Sequence, residues 1–146
     1  MSSVNMGSYI PELIQYLRDV FETGRQIELK TSVEQIELDI SQAVPIGIIV
    51  NEVVTNAIKH AFPSRSEKAT IRISLNMIDE NMALLKIVDN GTGIPPESGN
   101  RKTGLGLRLV TELTKDIDGV VEVSSGPGTT VAVRFTPRPL LAQATV

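Results

Sequence analysis

The sequence predicts an α+β domain, a two-layer α/β sandwich with about three helices on one face of a mixed, mainly antiparallel sheet. Three observations lead there. Three stretches repeat apolar residues at helical spacing, and six shorter ones alternate or run apolar between turn residues. Two pairs of the shorter stretches are joined by tight turns and read as hairpins. A doubly wound parallel sheet is thereby excluded, since parallel neighbours need a crossover rather than a turn.

Taken in order, residues 1–9 are expected to be a flexible start, without the charged and apolar regions of a signal peptide. A first helix is expected over residues 11–23. Leu13, Ile14, Leu17, Val20 and Phe21 share one face, Pro11 suits a first turn and Gly24 is a stop. Residues 27–31 alternate as a half-buried strand, and residues 36–39 are expected as its short partner. Ser41 is a candidate cap for the central helix, residues 44–61, with Pro45 allowing a start a few residues on. Pro63-Ser64-Arg65-Ser66 ends that helix. Strands at 70–76 and 83–88 flank Asp79-Glu80-Asn81, and the second is apolar enough to be central. Residues 94–102 have no periodicity and are expected to form a mobile loop of functional length. A third helix opens at Gly104-Leu105-Gly106, carries Leu109, Val110, Leu113 and Ile117, and stops at Gly119. Strands at 120–124 and 130–135 close the domain around Ser125-Gly126-Pro127-Gly128. The tail, residues 137–146, is expected to be loosely held.

Composition narrows the chemistry. The chain has 146 residues, enough for one domain with a real core, and is 41% hydrophobic and 21% charged. A net charge of −3 gives no basic excess for nucleic acid. Without cysteine there is no disulfide framework, thiol nucleophile or thiolate zinc site, and one histidine, His60, cannot make a multi-histidine metal site. No run of 18 or more apolar residues is present, and a cytoplasmic domain is the default expectation.

Four stretches carry candidate chemistry. On the central helix Glu52, Asn56 and Lys59 fall at i, i+4 and i+7, on one face. A carboxylate, a carboxamide and an ammonium in line suit a metal-bound phosphate chain, as base, neutral oxygen ligand and point charge. The same face is equally the ordinary solvated side of an amphipathic helix. Asp89, in Asp89-Asn90-Gly91-Thr92-Gly93, ends a buried strand. Its carboxylate can accept from an exocyclic amine such as adenine N6, while the glycines let a ligand approach closely. Asp-Asn-Gly is also common turn chemistry. Gly104-Leu105-Gly106 offers free amides at a helix start, a phosphate seat or plain capping. Gly128-Thr129 reads as a turn. Neither the dinucleotide glycine pattern nor a P-loop is present, so a nucleotide must be held another way.

Order and spacing join these pieces. E-x-x-x-N-x-x-K on a helix, D-x-G-x-G after a strand, G-x-G at a helix start and G-T before the last strand resemble the Bergerat ATP-binding fold. Sensor histidine kinases, DNA gyrase, heat-shock chaperone ATPases and mismatch-repair ATPases share that fold. Residues 45–63, Pro-Ile-Gly-Ile-Ile-Val-Asn-Glu-Val-Val-Thr-Asn-Ala-Ile-Lys-His-Ala-Phe-Pro, resemble the N-box of sensor histidine kinases, in the subgroup with N-E-x-x-T-N-A-x-K-H-A-F. The resemblance implies a catalytic domain over residues 10–136 that binds ATP and Mg²⁺. It implies Asn56 as the Mg²⁺ ligand, Lys59 and His60 near the phosphates, and Asp89 on adenine. Gly91 and Gly93 would shape the pocket, Gly104 and Gly106 would hinge the lid around Leu105, and Thr129 would support the Asp89 end.

One departure concerns acceptor chemistry. Many histidine kinases carry Asn where this chain has Glu52. Gyrase-like ATPases and anti-sigma-factor serine kinases carry Glu there as a general base, which a serine acceptor needs more than a neutral imidazole does. The leading expectation is a two-component sensor histidine kinase domain, a protein kinase fragment without its own phosphoacceptor. It would transfer the γ-phosphoryl group to a histidine on a separate dimerisation domain, and act through that domain on a response regulator. A serine/threonine kinase of the anti-sigma type and a non-catalytic nucleotide-dependent module are the alternatives. His60, on the ATP-site helix, is expected to be a phosphate-side or packing residue rather than the acceptor. Contact with nucleic acid or membrane is not expected of this domain, although a parent protein could be membrane-anchored.

Overall fold

A computed structural model describes residues 3–21, 27–62, 68–92 and 104–138. In chain order the elements are β1 (Ser3–Asn5), α1 (Met6–Val20), β2 (Ile27–Val33), β3 (Glu37–Asp39), α2 (Ile40–His60), β4 (Ala69–Met77) and β5 (Ala83–Asp89). After these come α3 (Gly104–Asp116), β6 (Val120–Ser125) and β7 (Thr129–Phe135). Five strands form one sheet in the order β2-β4-β5-β7-β6, with β2 parallel to β4 and the other neighbours antiparallel. This is the two-layer α/β sandwich expected, three helices on a mixed sheet.

Alternation along the strands decides which face the helices cover. Ile71, Ile73 and Leu75 of β4, Leu85 and Ile87 of β5, and Val131, Val133 and Phe135 of β7 are buried. Their neighbours, such as Arg72 and Lys86, point to the solvated face, as a sheet covered on one side requires. Met6, Ile10, Ile14 and Leu17 of α1 and Ile46, Ile49, Val50, Val54 and Ile58 of α2 complete the core. Each such side chain withdrawn from water contributes about 1.5–3 kcal/mol.

Local details depart from the expected elements. Residues 3–9, expected as a flexible start, are ordered into β1 and the first part of α1, which begins at Met6 rather than Pro11. Asn5 caps the helix by accepting the Gly7 N–H at 2.8 Å, and Met6 and Ile10 are fully buried. That burial outweighs the one backbone bond Pro11 cannot make. β3 pairs with β1 and not with β2. Between them Glu34 is drawn to β4, its N–H donating to the Leu75 carbonyl and its carboxylate accepting the Met77 N–H. α2 begins at Ile40, earlier than expected, and Asp39 rather than Ser41 is the cap. Asp39 accepts both the Ser41 hydroxyl and the Ser41 N–H at 3.0 Å. Those two bonds, the hydroxyl first, hold the Asp39 carboxyl below its ordinary value.

Two turns behave as their residues dictate. Asp79 accepts the N–H groups of Asn81 and Met82, both at 2.8 Å, and closes the β4–β5 hairpin. At the end of α3 it is Asp118, at φ 56°, that takes the left-handed position, and the Gly119 N–H returns to the Thr114 carbonyl. Residues 137 and 138, expected as the start of a loose tail, are tied down. Gln42, fully buried, donates to the Thr136 carbonyl and accepts the Arg138 N–H.

Candidate nucleotide site

β5 places Asp89 at its last, core-facing position, where the side chain is 8% exposed. Its Oδ1 accepts the Gly91 N–H at 2.8 Å and the Thr129 N–H at 3.4 Å. Among the described residues no donor reaches Oδ2. Burial raises the carboxyl above its ordinary value, and the two backbone bonds only partly oppose that. The result is a buried carboxylate whose Oδ1 is engaged by two backbone N–H groups.

The loop after Asp89 is anchored on two sides. Asn90, to which the sequence reading gave no role, bridges to β4. It accepts the Thr70 N–H at 2.8 Å, and its amide donates to the Lys68 carbonyl at 2.9 Å. On the other side the Thr92 N–H donates to the Ala61 carbonyl at 3.0 Å. A Cβ on Gly91 would run into that same carbonyl oxygen, so only glycine lets the loop lie against the end of α2. Gly128 is in the same position towards Asp89, whose backbone carbonyl occupies the place a Cβ would take. Thr129 therefore reaches Asp89 through its backbone, in register across β5 and β7.

α2 brings the remaining polar set to this end. Glu52 and Asn56 are half-buried, Lys59 and His60 are exposed in the last turn, and Ala61 follows directly. Among the described residues, no side chain bonds to or pairs with Glu52, Asn56, Lys59 or His60. α3 packs on α2, and Arg138 ties the C-terminal end of α3 to the N-terminal end of α2 by bonding both the Asp116 carbonyl and Ser41. The structure thus gathers Asp89, Gly91, Thr129 and the C-terminal end of α2 at one edge of the sandwich. Gly93 and the loop at residues 94–102 lie outside the described residues.

The donor set suits a particular kind of cation binding. Among the described residues no cluster of three or more His, Asp or Glu could cage a metal ion. A lone carboxamide such as Asn56 is sufficient where phosphate oxygens and water supply the other ligands, as is usual for Mg²⁺.

The sequence profile of the histidine kinase-, DNA gyrase B- and HSP90-like ATPases matches residues 41–139, more than half of the chain. The chain belongs to this ATPase family. Sensor histidine kinase YxdK of Bacillus subtilis is 36% identical over 104 residues, covering 60% of this chain and 30% of that protein. Blue-light-activated histidine kinase 2 of Erythrobacter litoralis is 26% identical over 136 residues, covering 89% of this chain and 38% of that protein. The solved histidine kinase domain of Erythrobacter litoralis EL346 superposes with a TM-score of 0.80 at 25% identity, covering 92% of this chain and 62% of that one. Mycobacterial sensor histidine kinase MprB, at 24% identity and a TM-score of 0.74, shares the fold. The ATPase domain described here spans 30–38% of the length of the first two relatives. Among the described residues no helix is long and apolar enough to cross a membrane.

Proposed function

We propose that this chain is the ATP-binding catalytic domain of a two-component sensor histidine kinase, of the subgroup with the N-E-x-x-T-N-A-x-K-H-A-F box. The observation that carries the reading is Asp89, a buried carboxylate at the end of β5 whose following loop lies against the terminus of α2. Oδ2 accepts the adenine N6 amine, and Gly91 holds the loop that follows Asp89 against the end of α2. Asn56 and Lys59 face the phosphate chain from α2, Asn56 as the protein ligand of Mg²⁺ and Lys59 as a point charge. His60 borders the phosphates. The amides of Gly104, Leu105 and Gly106 seat phosphate oxygens at the start of α3.

Bound Mg²⁺ neutralises charge on the phosphate oxygens, and the chain's own part is positioning and electrostatics. In the transfer the bond between the γ-phosphorus and its bridging oxygen breaks, ADP leaves, and a nitrogen–phosphorus bond forms to a histidine on a separate dimerisation domain. A response regulator takes the phosphoryl group from there. The site of action is cytoplasmic.

Calorimetry tests the adenine assignment. Asp89→Ala removes the acceptor for N6 and is expected to cost about 1.5–3 kcal/mol of ATP affinity. Equal affinity of the native chain for ATP and GTP, or an unaffected variant, would refute it.

Glu52 supports a second reading. It is half-buried, one helical turn before Asn56 and on the same side of α2, where a general base for a hydroxyl acceptor would stand. A serine kinase of the anti-sigma type would use it so. The relatives named above are histidine kinases, which favours the first reading.

A further inference from the structure

Far from the candidate site, three segments remote in sequence meet at Arg138. Its Nη1 donates to the Ser41 Oγ at 2.9 Å, at the start of α2. Its Nη2 donates to the Asp116 carbonyl at 3.0 Å, at the end of α3, and lies 3.6 Å from the Asp118 carboxylate. The backbone beneath is fixed by Gln42, whose carboxamide donates to the Thr136 carbonyl at 3.0 Å and accepts the Arg138 N–H at 2.7 Å. A fully buried carboxamide with both ends satisfied is expensive to misplace, so the anchor is stiff. A guanidinium can span two acceptors on different helices because its donors form a rigid fork, which an ammonium lacks.

We propose that Arg138, seated by Gln42, is a positioning residue for the nucleotide site. It pins the C-terminal end of α3 to the N-terminal end of α2, and so sets where Gly104–Gly106, at the far end of α3, lie relative to the C-terminal half of α2. α3 has 13 residues and is about 20 Å long, so a pivot of about 5° at Asp116 moves its start by roughly 1.7 Å. A displacement of about 1 Å is enough to cost a reacting site on the order of a hundredfold. The inference rests on the proposed ATP site only where nucleotide is the readout.

The test compares Arg138→Ala, Arg138→Lys and the milder Ser41→Ala with Leu29→Ala, which opens the core beneath α1, away from the clasp. Hydrogen exchange is followed at the amides of residues 108–110, the first bonded turn of α3, and at β4 and β5. Arg138→Ala should speed exchange at 108–110 by about tenfold while β4 and β5 change little. It should also weaken a non-hydrolysable ATP analogue by about fivefold or more. Arg138→Lys should recover only part of both effects, since it reaches one helix at a time. Leu29→Ala should lower the melting temperature without selective change at 108–110. Should Arg138→Ala fail to fold, a selective rise at 108–110 in Ser41→Ala and Arg138→Lys supports the clasp, and its absence in both overturns it. Uniform acceleration everywhere in Arg138→Ala, as in Leu29→Ala, also overturns it. A native chain that binds no nucleotide defeats the ATP-site reading, while the exchange pattern still decides the clasp.

Discussion

Gly91 lies directly against the backbone carbonyl of Ala61, with no room between them for a methyl group. This contact joins the loop after β5 to the end of α2, and so couples the buried carboxylate of Asp89 to the helix that carries Asn56 and Lys59. Gly91→Ala must push the loop off the helix or strain both. Overpacking of this kind costs about 1–3 kcal/mol. A fall in melting temperature together with a larger loss of ATP affinity is the expected result. Unchanged calorimetry would separate the loop from the site.

Asn90 stabilises the same loop from the β4 side. Asn90→Ala strips the Thr70 N–H and the Lys68 carbonyl of their partner. The expected loss is about 1–2 kcal/mol, because both groups lie near solvent and water partly replaces the side chain. Urea unfolding measures it directly, and an unchanged midpoint would show the bridge to be idle.

Stability should carry the signature of Asp89. Its carboxyl is raised in the folded chain by burial, so the native state holds a proton that the unfolded state has already released. Between the ordinary carboxylate value and the raised one, the unfolded state binds fewer protons, and stability falls as pH rises. Asp89→Asn keeps an oxygen for the Gly91 and Thr129 N–H groups and cannot ionise. It should flatten this part of the pH profile and leave the fold as stable or more so near neutrality. It should also abolish selective ATP binding, since its amide presents a donor to a donor. A parallel pH profile for the variant would contradict the assignment.

Asn56→Asp keeps the size of the side chain and adds a charge where the proposed site holds the triphosphate. Phosphoryl transfer should collapse while the circular dichroism spectrum and melting curve stay close to native. Full activity would remove α2 from the site. Glu52→Gln separates the acceptor readings, near-total loss of transfer favouring a hydroxyl acceptor and a mild loss favouring histidine.

The chain alone should not phosphorylate itself. His60 is exposed in the last turn of α2, on the helix that holds Asn56 and Lys59, and in the proposed site cannot readily adopt an in-line approach to the phosphates. Label should appear only on a histidine-bearing helical hairpin added in trans, lost in acid and kept in alkali. Acid-stable label on that partner, or stable label on the isolated chain, would promote the serine-kinase reading.

What the sequence determined by itself was whatever depends on period and local spacing. The apolar repeat of α2 located its buried face and put Glu52, Asn56 and Lys59 along one side, because 3.6 residues per turn fixes such alignments without any partner. The alternation in β4 and β5, and Asp79 between them, gave a hairpin and placed Asp89 at a strand end. Tertiary structure decided what depends on contacts between distant segments. Met6 and Ile10 extend α1 past Pro11 because a core awaits them, and β3 pairs with β1 while Glu34 stays bonded to β4. Asn90 and Gly128 have no readable role until β4 and Asp89 lie against them. Arg138 is the clearest case. In the sequence it belongs to a Pro- and Ala-rich tail, and only the meeting of α2, α3 and the end of β7 gives its guanidinium two helices to hold at once.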